Sequence, residues 1–101
     1  MKCRVDLHPL ALQEMTETVQ WYEDRSPGLG TRFIEALNER LTEISAFPDR
    51  YPKKKGLFRE VSTKIFPYII IFEFLQKEKV VFVSYIFHIK RNPQLKYNRK
   101  R

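Results

Sequence analysis

A small set of residues in this 101-residue chain could do chemistry together. His88, Lys90 and Arg91 cluster behind an apolar run, while Arg59, Lys64, Tyr68 and Tyr85 lie on the segments before it. Cleaving RNA without a metal needs a group that helps deprotonate a 2′-hydroxyl, an acid for the leaving oxygen, and cations for the charge on phosphorus. His88 is the natural titrating member, because an imidazole changes charge near neutrality. Arg59, Lys64 and Arg91 could hold phosphates, and Tyr68 or Tyr85 could stack on a base or supply a proton. A plainer alternative stays open for each. His88 at a strand end can simply bond nearby backbone, and both tyrosines sit in runs that read as core.

Other chemistries find less support. The two histidines, His8 and His88, are far apart, and Cys3 has no CxxC or HxxxH companion, so no metal site is expected. No GxGxxG and no P-loop occurs, and no cofactor is expected. Nothing marks a nucleophile for a Ser/His/Asp triad.

The elements that must position these residues follow from periodicity. Cys3–Leu7 alternates and reads as an edge strand. His8-Pro9 stops it, and Leu12, Met15, Val19 and Tyr22 then recur at helical spacing from Leu10 to about Asp24, with Trp21 read as core beside them. Arg25-Ser-Pro-Gly28 breaks that helix, with Ser26 a suitable N-cap for the next. Phe33, Leu37, Leu41 and Ile44 make the second apolar stripe, ended by Phe47-Pro48. The like-charged pairs Glu35–Glu39 and Glu39–Glu43 cost a few tenths of a kcal/mol each unless something basic covers them. A loop is expected over Asp49–Gly56, and the period then changes to two. Leu57–Val61 reads as a strand, Ile65–Leu75 as a central strand, Gln76–Lys79 as a turn, and Val80–His88 as the antiparallel return. This predicts an α+β domain in which an antiparallel helical hairpin packs on a small antiparallel sheet. His88 and Arg91 would stand at an edge of that sheet, followed by a basic, flexible tail over 94–101.

Composition bounds the rest. One domain spanning 1–101, 43% hydrophobic, is long enough for a real core. The single cysteine excludes an internal disulfide and fits a reducing compartment. No signal peptide and no membrane-length apolar run is visible, so a soluble, cytoplasmic protein is expected. Charge is unevenly divided. Residues 1–50 hold six Lys/Arg against nine Asp/Glu, a net −3, whereas residues 51–101 hold thirteen against three, a net +10. That asymmetry reads as a surface for an anionic partner, against a merely solvated face.

Several short motifs also follow one another in a familiar order: Trp21-Tyr22-Glu23, Ser26-Pro-Gly-Leu-Gly30, Arg32-Phe33-Ile-Glu-Ala-Leu37, Phe47-Pro48, Tyr51-Pro52, Phe66-Pro67-Tyr68 and His88-x-x-Arg91-Asn92-Pro93. Together they resemble the ParE branch of the RelE/ParE toxin superfamily, the toxins of type II toxin–antitoxin modules, often called plasmid stabilisation proteins. The resemblance implies a toxin that arrests growth, a cognate antitoxin that wraps over it, and a hetero-oligomer of the two as an open question. It implies DNA gyrase as the target if the chain is ParE-like, or ribosome-bound mRNA and endoribonuclease activity if it is RelE-like. A non-toxic remnant that only binds antitoxin is a third reading. Carried over, Arg59, His88 and Arg91 occupy places comparable to the working groups of the ribonucleases. The tyrosine that often follows the last strand in RelE-type enzymes has no match, since Ile89 follows His88. In ParE-like members the C-terminal segment is tied to toxicity, which here makes Lys90, Arg91, Lys96 and Arg99 target contacts, with Lys64 and Tyr68.

Overall fold

The computed structural model describes residues 2–101. Its elements run β1 (Arg4–Leu7), α1 (Pro9–Arg25), α2 (Leu29–Ala46), β2 (Lys53–Lys55), β3 (Phe58–Ser62), β4 (Tyr68–Leu75) and β5 (Val80–His88). The strands form one sheet in the order β1-β5-β4-β3-β2. β1 joins β5 in parallel and every other pairing is antiparallel. The sheet is thus mixed, and β5 is an interior strand, not an edge. Among the described residues no helix is long and apolar enough to cross a membrane.

α1 begins where the His8 Nδ1 accepts the Leu10 amide, satisfying one of the donors every helix start leaves open. Ala11 and Thr18 are buried and Met15, Val19 and Tyr22 pack on the core beside them, so of the expected stripe only Leu12 falls outside. Leu12 and Trp21 are half exposed at 50% and 51%. Trp21 instead carries the Arg25 guanidinium 4.1 Å from its ring. Ser26 closes α1 and does not open α2. The start of α2 is capped by Glu23, whose carboxylate accepts the Gly28 and Gly30 amides at 2.9 and 3.0 Å. Glycine is required at 30, because a Cβ there would lie 2.7 Å from the Val19 carbonyl oxygen. That contact is the close approach that lets the two helices lie antiparallel.

The α2 stripe is as expected, with Phe33, Leu37 and Ile44 fully buried. The isolated Glu39 finds Lys64 at 2.7 Å and Glu43 finds Arg40 at 2.9 Å, which relieves the like-charged pairs. Asp49–Gly56 is not all loop: Lys53–Lys55 forms the outermost strand, paired with β3. β4 starts only at Tyr68, because Ile65 takes a positive φ of 72° and Pro67 lacks a ladder donor. Phe66 from that turn folds back onto Tyr22 and Phe33, with ring centroids 5.0 and 5.3 Å away.

One irregularity decides which residues face the helices. Phe72 pairs with Val83 and Ile71 with Tyr85, so Ser84 is an extra residue in β5. A bulge of this kind reverses the facing of everything after it. Val81 and Val83 face the helices before it, and Ile86 and His88 after it. Tyr85 and Phe87 turn to the outer face, where they pack with Ile71 and Tyr97.

Candidate functional site

β1 stops at Leu7, opposite Val83, and leaves the second half of β5 without a neighbouring strand on that side. Side chains take the strand's place. The Ile86 amide donates to the Glu14 carboxylate at 3.0 Å, and Arg99 donates to the Ser84 carbonyl at 2.8 Å. Glu14 is gripped from both sides, by Arg91 at 2.5 Å and Arg99 at 2.9 Å, with only 16% of its side chain exposed. Burial alone would raise the Glu14 carboxyl, but hydrogen bonds from Arg99, Arg91 and the Ile86 amide outweigh it and hold the group below its ordinary value. This single residue ties α1, β5 and the C-terminal segment together.

Beyond Glu14 the space between α1 and the ends of β4 and β5 opens into a groove of about 530 Å³. Trp21, Tyr22 and Tyr68 wall it with rings, and His88, Arg91 and Glu17 supply its polar rim. The His88 ring stands edge-on to Tyr68, centroids 5.0 Å apart. Burial, then the neighbouring Tyr68, raises the Tyr22 phenol above its usual value and keeps it a neutral donor. The His88 Nδ1 accepts the Lys90 amide at 3.0 Å, so the neutral ring carries its proton on Nε2. What the groove offers is therefore an N–H donor among aromatic faces. That combination suits recognition of a planar or carbonyl-bearing group.

Residues 5–93 match the family described as "ParE toxin of type II toxin-antitoxin system, parDE". The chain belongs to this family of toxins. Among curated proteins none matches by sequence. Solved structures share the fold. A chromosomal ParDE system from P. aeruginosa superposes with a TM-score of 0.73 at 11% identity, over 88% of this chain and 98% of that one. The isolated E. coli RelE toxin gives 0.67 at 20% identity, over 91% and 89%. The intact E. coli RelBE toxin–antitoxin complex gives 0.68 at 18%, over 88% and 99%.

In this ParE-family toxin the residues singled out by sequence fall into separate places. His88, Tyr68 and Arg91 meet at the groove, whereas Lys90 does not line it and touches the site only through its backbone amide, which donates to His88. Arg59 does not join them. It pairs across the sheet with Phe72, four residues along β4 from Tyr68, and donates to the Tyr51 carbonyl at 2.6 Å. Lys64 is bonded to Glu39, whose carboxyl that contact lowers. Tyr85 is buried beneath the tail, its hydroxyl accepting the Asn98 and Arg99 amides at 3.0 and 2.9 Å. The tail crosses the outer sheet face, with Lys96 3.5 Å from Glu60 and Arg101 2.8 Å from Glu73. Tyr97 also bonds Glu60. Two residues central to this region, Glu14 and Trp21, were not singled out by sequence. Glu14 carried no signal beyond a polar position on α1, and Trp21 was absorbed into the apolar stripe. Only its place at the helix edge could have separated it.

Proposed function

We propose that this ParE-family toxin arrests growth by binding a macromolecular target through the His88 groove and its rim, and that a cognate antitoxin neutralises it. The observation that carries this reading is the occupied Nδ1 of His88. A general base needs a free ring nitrogen, and here one nitrogen accepts the Lys90 amide while the other already holds a proton. Arg91 is drawn onto Glu14 and Arg59 lies elsewhere, so the cations do not surround a phosphate at His88. A ring-lined cleft with one donor instead favours recognition, and DNA gyrase is the target that ParE-like character puts first. The antitoxin follows from family membership, and toxin–antitoxin complexes stand among the structural neighbours. Where the antitoxin covers basic surface its affinity should fall with added salt.

RelE-like cleavage of ribosome-bound mRNA is the second reading. One observation favours it: His88 and Arg91 line the same open groove, where His88 in its imidazolium form would be the acid for a leaving oxygen. Induced alone, the chain should stop growth, and the neighbouring small open reading frame should restore it. Purified toxin should inhibit gyrase supercoiling, with Trp21→Ala weakening the inhibition. New mRNA ends in primer extension that vanish in His88→Ala would replace this mechanism with the ribonuclease. Normal growth with soluble protein would leave only an antitoxin-binding remnant.

A further inference from the structure

The end of the sheet opposite His88 carries a second cleft, of about 680 Å³, where β1 begins, α2 ends and the β4–β5 turn closes. At about 3.3 Å per residue, the span of β4 separates the two ends by roughly 23 Å. Phe47, Pro48 and Phe74 give this cleft apolar walls. Phe47 follows α2 directly and is 57% exposed, a large ring left in solvent. The Arg50 guanidinium stands 4.5 Å from the centre of that ring, and Lys79 lines the same cleft. Its one acidic lining residue, Asp49, lies 3.8 Å from Arg59.

The surroundings are basic as well. Lys55 pairs with Phe58 and Arg59 with Phe72, so the β2–β3 hairpin projects its tip toward the end at which β4 turns. Lys53, Lys54 and Lys55 on that hairpin and Lys77 in the β4–β5 turn are exposed. Among the described residues none of these, nor Arg50 or Lys79, has an acid within ion-pair distance. Glu78 is the single acid of the turn.

We infer that this cleft is a docking site for an acidic peptide segment of a partner protein, one large apolar side chain entering beside Phe47 while its carboxylates meet Arg50, Lys79 and the hairpin lysines. Charge complementarity selects the acidic partner and speeds its approach. The exposed ring in a concave apolar wall is the kind of feature that holds a buried anchor. A nucleic acid would satisfy the lysines but leave the Phe47 and Phe74 walls facing phosphate. The site stands apart from the groove and does not rest on the toxin's target.

The test uses the full chain and fluorescence anisotropy with three probes: a short labelled Asp/Glu peptide around one Phe, the same peptide with Ser for Phe, and a labelled oligonucleotide of equal charge. The Phe peptide should bind, about tenfold more tightly than the Ser peptide, and lose about tenfold on either Phe47→Ala or Arg50→Glu. His88→Ala should leave it unchanged. Both substituted residues are exposed, and unchanged melting curves would show that the fold is kept. Equal binding of the two peptides would overturn the proposal. So would absence of peptide binding, indifference to both cleft substitutions, or an oligonucleotide that binds more tightly and ignores Phe47→Ala.

Discussion

The tail cations and the hairpin lysines look alike in sequence and do different things. Arg91 and Arg99 close on Glu14, Lys96 on Glu60 and Arg101 on Glu73, and each of those acids has less than a fifth of its side chain exposed. Lys53, Lys54 and Lys55 stand in water on the outermost strand. The difference lies in the acids. A carboxylate taken out of water costs several kcal/mol unless it is paired and hydrogen-bonded, so each of these largely buried acids captures a cation from the C-terminal segment. The buried acid on the strand next to β2, Glu60, is already taken by Lys96 and Tyr97, and the β2 lysines keep their charge for approach of a partner and for keeping other strand edges away. Much of the +10 of the second half is therefore internal structure, and the surface left for an anionic partner is smaller than the count implies.

The contrast can be broken most directly at Glu14. Glu14→Ala leaves two arginines and the Ile86 amide without their acceptor, and should cost about 3 kcal/mol or more in urea unfolding. If it costs no more than a surface change, the network is not what holds the tail. Next comes acid. The folded-state carboxyl of Glu14 lies below its ordinary value of roughly 4.3. Its contribution is thus complete above that pH and is lost as pH falls through the lowered value. Acid unfolding should be shallower over that interval in Glu14→Gln than in the parent.

A smaller effect is expected at Tyr97. Burial, then the hydrogen bond to Glu60 and its charge, push this phenol up to about 12. Because that lies above the ordinary value of about 10, its contribution is full below pH 10 and fades as pH climbs through the raised value. Tyr97→Phe should cost about 1 kcal/mol at neutral pH. It should also remove one tyrosinate from the ultraviolet titration near the upper limit. Least of all, Lys54→Ala should move stability by no more than about 0.5 kcal/mol. A larger loss would mean that the edge lysines are structural after all.

Much of this was legible along the chain because it is written in period. The α2 stripe of Phe33, Leu37 and Ile44, the change to strands after Gly56 and the β4–β5 hairpin all depend on neighbours a few residues apart. What failed to show depends on contacts across the fold. Trp21 reads as core until the hairpin crossing leaves it at the rim of the groove. Lys53–Lys55 reads as loop, since three lysines have no strand signal until β3 offers them a ladder.

The sequence by itself determined the two layers, the helical hairpin, the strand order's antiparallel half and the family. It also grouped His88, Arg59 and Arg91, of which the fold keeps His88 and Arg91 at one groove, beside Tyr68, and sends Arg59 elsewhere. Tertiary structure decided the rest. The bulge at Ser84 turned His88 toward the helices and Tyr85 away from them. The early end of β1 exposed a strand edge that only Glu14 and Arg99 could satisfy. Both follow from the same physical fact: buried backbone donors and acceptors must find partners, and which side chain is near enough to serve is known only once the chain has folded.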